Sequence, residues 1–295
     1  MDNELLKYIL LIGFSLLGIL ANSINFSKLS FHCNNYILST YLYFILSWGI
    51  VLTMIKVIDL KILDLGNIYD QKIIIPLAIV TFLLFPIILR LIPIKAFLFK
   101  HLIFVIYMIL IGICLHPLYK TFRNEFSHVV LTTMFIVLVL TFITFMNPDI
   151  IDDSILVYLF IGLLTIISAT IIDFFYINKD SKYKFHLKKA ITYLTIIIFS
   201  LFIMNDTKRI IENSKNCSSS PFGPDFITES SNIFLDVLNL SSGVDDIDMD
   251  EYSDFSILPS DWTPTMGDTE NMYDFNELGN SLADSFDELT NYFDE

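Results

Sequence analysis

"SLFIMNDTKRII" (200–211) and "SSNIFLDVLNL" (230–240) are the two stretches whose reading decides the fold of this chain. Each sets one aspartate, Asp206 or Asp236, at or inside an apolar segment. Carboxylates in such a setting are costly in a membrane and usually face a bundle interior or a watery cavity. Asp236 is the sharper of the two, because Ile233, Phe234, Leu235, Val237, Leu238 and Leu240 flank it on both sides. Asp206 ends its apolar run and is followed by Lys208 and Arg209, so spacing alone reads it as an interfacial cap.

The rest of the chain supplies the membrane. Of 295 residues, 54% are hydrophobic and 27 are Phe, and they are gathered into long runs rather than scattered with the period of a soluble helix. A spanning helix needs about 20 mainly apolar residues. Seven runs qualify, near 5–26, 36–56, 73–93, 100–117, 127–147, 155–176 and 188–205. An eighth, 226–240, is short and carries Glu229, Asp236 and several Ser and Asn, and hydropathy reads it as a surface or re-entrant helix. The first run is followed by no clear small-residue cleavage site and exceeds a signal-peptide core, so it reads as an uncleaved anchor. The sequence therefore predicts an all-α polytopic transmembrane bundle of seven to eight hydrophobic segments, with units at 1–34, 35–240 and 241–295.

Charge divides the chain as sharply. All 18 Lys and Arg lie at or before Lys215, alongside 13 acidic residues, whereas Asn216–Glu295 holds 19 acidic residues and no basic one. The N-terminus and the loops after the second, fourth and sixth runs hold 11 basic residues against 7 in the other loops. By the positive-inside rule this favours a cytoplasmic N-terminus. The acidic tail cannot bury enough apolar surface to offset its ordering entropy, so it reads as largely disordered. Near its end Leu278, Leu282, Phe286, Leu289 and Phe293 recur at helical spacing with acids between them. That pattern is an amphipathic helix that either docks a protein partner or folds back on its own chain.

Arg90 and Asp173 are the two further charged candidates within runs, each near a run's end, where water is within reach. The three cysteines, Cys33, Cys114 and Cys217, form an odd, scattered set that suggests neither a disulfide framework nor a zinc site. No His, Ser or Cys pair has catalytic spacing, and with 10 glycines no loop cradles a phosphate, so no enzyme and no cofactor are expected. An acidic chain without a basic patch is not expected to bind nucleic acid.

In order along the chain, four pieces resemble the Bax inhibitor family. "FIMNDTKRII" followed by "SSNIFLDVLNL" is similar to that family's last two helices. "IGICLHPLYKTF" with the helix after it resembles its G-x-x-L-x-P-L region, and "SILVYLFIGLLTIISATIIDFF" resembles its next span. "NNYILSTYLYFILSWGIVL" is similar to its first helix, so the resemblance covers about 35–240. It implies that Asp206 and Asp236 form a pair that gates a cation leak, chiefly of Ca²⁺, by pH, and that they meet the ion. It also implies an arginine nearby, for which Arg90 is the positional match, and internal, endoplasmic-reticulum-like membranes. Two carboxylates in a dry site cannot both ionise cheaply, so such a pair titrates as a unit. This chain departs in its extra first run, which inverts the family's usual orientation, and in its acidic tail. The alternative reading is a non-conducting structural or assembly protein of a membrane, viral membranes included, whose tail recruits a partner.

Overall fold

The computed structural model describes residues 3–25, 30–33, 35–63, 65, 71–121, 126–152, 154–176, 182–217 and 224–245. Helices α1 (Asn3–Asn22), α2 (Tyr36–Asp59), α3 (Gln71–Ile79), α4 (Phe85–Leu91), α5 (Phe97–Thr121), α6 (Phe126–Met146), α7 (Ile155–Tyr176), α8 (Lys182–Asn216) and α9 (Phe226–Asp245) follow one another. The extended pairing among the described residues is one two-residue antiparallel ladder, Ile24 with Phe31 and Asn25 with Ser30, between α1 and α2. Among the described residues, seven helical stretches are long and apolar enough to cross a membrane. The acidic tail, with its docking residues Leu278, Leu282, Phe286, Leu289 and Phe293, lies outside the described residues, as does the side chain of Asp173.

The run near 73–93 is one span with an interruption. Pro86 has no N–H to donate back into the preceding turn, and a π-helical turn, Val80–Leu84, absorbs the mismatch before α4 resumes. α8 extends well past its apolar run, to 35 residues or about 50 Å. Asp206 therefore lies inside a continuous helix, ten residues from its end, and not at a cap. α9 is 20 residues long, enough for about 30 Å.

Hydropathy misplaces α9, which other helices of the bundle enclose on most sides. It packs on α8, α2 and α6, and more lightly on α4 and α5. Phe226, Ile227, Phe234, Val237 and Leu240 are fully buried, at spacings that put them on one face. Phe226 sets its ring edge-on to Tyr36 with centroids 5.0 Å apart, and Phe234 does the same to Trp48 at 5.2 Å. The helix's hydroxyls turn inward on its own backbone: Ser231 Oγ donates to Ile227 O at 2.7 Å and Ser241 Oγ to Val237 O at 2.8 Å. A helix walled by protein does not need an apolar surface, which is why its composition misleads a hydropathy scan. Outward faces of α1, α6 and α7 instead show large apolar side chains such as Phe14, Leu131, Phe135 and Val157.

Cys33 and Cys217 are joined by a disulfide across 184 positions of sequence, correcting the expectation that the cysteines are unpaired. Only the fold brings the start of α2 beside the end of α8, so spacing carried no hint of it. Close approach of α2 and α5 depends on Gly112, the glycine of "IGICLHPL", where a Cβ would stand 2.8 Å from Met54 Cβ and 3.1 Å from Val51 O. Small residues at such crossings let spanning helices meet backbone to backbone. Gly13, by contrast, faces open space. Gly112→Ala is therefore expected to destabilise the detergent-solubilised protein by about 1–3 kcal/mol in thermal unfolding, with Gly13→Ala unchanged. Equal melting for the two variants would refute the close crossing.

Candidate functional site

Facing stripes of polar residues run along α8 and α9. On α8 they are Thr192, Thr195, Asp206, Arg209 and Asn213, and on α9 Glu229, Asn232, Asp236 and Asn239. Steps of three, four and, between Thr195 and Asp206, eleven residues keep each set on one helical face. Because the two helices pack along their lengths, the stripes form a polar seam through the apolar bundle.

At the disulfide-bearing end of the seam, Asp225 precedes α9 as an N-cap, its Oδ1 accepting the Thr228 backbone N–H at 3.3 Å. Its Oδ2 accepts Lys100 Nζ at 2.6 Å, and that ammonium, fully buried at the start of α5, also donates to Ile92 O at 3.2 Å. One turn inward, Asn213 Nδ2 donates to Glu229 Oε1 at 2.8 Å and Arg209 Nε to Glu229 Oε2 at 3.4 Å. The same guanidinium reaches deeper: its Nη2 lies 3.3 Å from Asp206 Oδ1. That Nη2 is shielded from solvent and makes no hydrogen bond of good geometry, so its contact with Asp206 is chiefly electrostatic. Arg209 thus ties α8 to α9.

Asp206 is buried, 5% exposed, and Asp236, midway along α9, is half-buried. They share one electrostatic neighbourhood: Asp236 feels Asp206 and Arg209, and Asp206 feels Arg209 and Glu229. No hydrogen bond joins the two carboxylates among the described residues. Alongside, Tyr41 on α2 and Thr207 on α8 share a hydroxyl hydrogen bond of 3.2 Å, which fixes α8 against α2 at this depth. Beyond Asp236 the seam opens into a cavity of about 250 Å³ between α7, α8 and α9, whose polar lining is Thr170, Thr192, Thr195, Asn239 and Ser242. Thr192 Oγ1 is buried there without a hydrogen-bond partner among the described residues.

Arg90 is placed differently from the expectation. It sits exposed in the last turn of α4 and makes no ion pair among the described residues, although its charge is felt at Asp206. The cation beside the aspartates is Arg209, which by spacing alone is a membrane-surface flank of its run. Glu229 by composition alone is one polar residue of a short apolar run. Three-and-four spacing of Asp206, Arg209 and Asn213, facing Glu229, Asn232 and Asp236, is the signal that would have found both. As for a metal, no group of three or more His, Cys, Asp or Glu among the described residues is placed to hold one.

Among protein families, the profile described as "Inhibitor of apoptosis-promoting Bax1" matches residues 33–241, more than half of the chain. This chain belongs to the Bax inhibitor family. The matched segment opens at Cys33 and closes one residue after Leu240, so the family region of this Bax inhibitor relative holds both halves of the seam, while α1 and the acidic tail lie outside it. No curated protein and no solved structure matches the chain.

Removing one partner of a shielded ion pair strands the other, but Arg209 is about a third exposed, which moderates the cost. Arg209→Met is expected to cost about 1–3 kcal/mol in thermal unfolding. Adding Glu229→Gln to it should recover part of that loss, and strictly additive effects would show that the two side chains do not interact.

Proposed function

We propose that this integral membrane protein is a Bax-inhibitor-type, non-enzymatic cation leak that suppresses cell death, with Asp206 and Asp236 as its proton-controlled latch and Ca²⁺ as the chief ion. One observation carries this reading: two carboxylates on adjacent helices share a single electrostatic neighbourhood inside a bundle of spanning helices. Isolated charges in such a place are selected against unless they work. Three carboxylates, Asp206, Glu229 and Asp236, surround one guanidinium there. The excess negative charge calls for a proton or a second cation to share the site.

With a proton on the aspartates, α8 and α9 stay together. On its loss two like charges repel, and the seam gains hard oxygen ligands suited to a divalent ion. Arg209 is the tuning charge in this scheme, the role that the resemblance suggested for Arg90. The cavity beyond Asp236 supplies hydroxyl and amide oxygens along the remaining length of the seam.

Arg209 also favours a second reading. A guanidinium already lying between Asp206 and Glu229 neutralises part of the charge that an ion would need. In that case the protein is a non-conducting membrane anchor, and the acidic tail recruits a partner. Ca²⁺ flux into proteoliposomes between pH 5 and 8 separates the two. A leak expected to rise with pH in wild type should lose that dependence in both Asp206→Asn and Asp236→Asn. Absence of flux in wild type would sink the leak and leave the anchor.

A further inference from the structure

We infer that the bundle end bearing Cys33–Cys217 faces an oxidising compartment, so that the mouth of the Asp206–Arg209–Glu229 seam opens there while α9 delivers the acidic tail to the cytosol. Three contacts first define the two ends. Cys33 before α2 is bonded to Cys217 at the end of α8. Lys100 at the start of α5 pairs with Asp225 at the start of α9, and Lys208 near the end of α8 donates to Ile151 O just before α7, at 2.8 Å. The connections 23–35, 92–96, 147–154 and 217–225 therefore share one end. At the other, Lys56 near the end of α2 binds Glu4 near the start of α1 at 2.8 Å. The start of α1, the ends of α2, α5, α7 and α9 and the starts of α3, α6 and α8 belong with it, because each span alternates.

Two independent observations then assign the compartments. Protein disulfides persist in the endoplasmic-reticulum lumen or outside the cell and are rare on the reducing cytosolic side. The opposite end carries the larger share of Lys and Arg, 11 against 7, as cytosolic ends do. Of the seven at the disulfide end, Lys100 and Arg209 are moreover matched by Asp225 and Glu229 within the protein. Redox chemistry and charge thus agree, although neither depends on the other. Beyond Asp245 no apolar run is long enough to cross back, so residues 246–295, with no basic residue, stay on the side where α9 ends. A partner for this tail is then a cytosolic protein, and ions reach the seam first from the oxidising side.

The orientation goes beyond the leak and does not depend on it, since labelling reads sidedness whether or not ions flow. The full-length protein with Cys114→Ser, in sealed vesicles with the cytosolic face outward, is treated with a membrane-impermeant maleimide–polyethylene glycol. The expected result is no gel shift until the vesicles are opened with detergent and a dithiol reductant is added. Added protease should meanwhile remove the tail from intact vesicles. Labelling of sealed vesicles, labelling after detergent without reductant, or a tail protected until the vesicles are opened would each overturn the assignment.

Discussion

Everything else in this molecule rests on the enclosure of α9. Asp236, midway along it, would cost about 2.5–3.5 kcal/mol at a lipid-facing position, and Glu229 in its first turn would add to that. Walled by α8, α2 and α6, the same helix instead buries Phe226, Phe234 and Val237 in the core. The close crossing at Gly112 serves this arrangement, because it draws α5 onto α2, and α2 lies along one side of α9. The broken span α3–α4 closes another side lightly. The polar seam is what remains when apolar demands on the helix have been met on its other faces.

Charge inside the bundle is balanced locally and unevenly. Glu229 receives both Asn213 and Arg209, and Asp225 receives Lys100 and caps its helix. Asp206 has the electrostatic reach of Arg209 and, more weakly, of Arg90, and Asp236 has that of Arg209. Compensation therefore fades from the disulfide end toward the middle of the membrane. A gradient of this kind leaves the deepest carboxylates as the groups most sensitive to a proton or a mobile cation. It also explains why an arginine on the same helix outweighs Arg90: three residues along α8 is one turn, whereas Arg90 lies exposed at the end of α4.

Much of this was legible in the residues themselves. Seven long apolar runs announced a polytopic bundle because the bilayer sets a minimum length that composition reveals directly. Asp206 and Asp236 stood out because a carboxylate among Ile, Leu and Phe is anomalous wherever it occurs. What escaped was pairwise. Arg209 resembles any basic residue flanking a span until α8 is seen to continue to Asn216, and Glu229 resembles a surface acid until α9 is seen to be sheathed. Neither helix length nor enclosure can be computed from hydropathy, which scores a residue's neighbours in sequence and not in space.

The sequence by itself determined the class of this protein, its seven long apolar spans, its basic body and acidic tail, and which two aspartates stand in apolar surroundings, because each follows from local composition measured against a fixed solvent. Tertiary structure decided which cation sits beside them, which hydroxyls continue their line across the bundle, and that Cys33 and Cys217 meet over 184 positions. Those depend on contacts between distant segments, and the free energy of a contact belongs to the pair and to no residue alone.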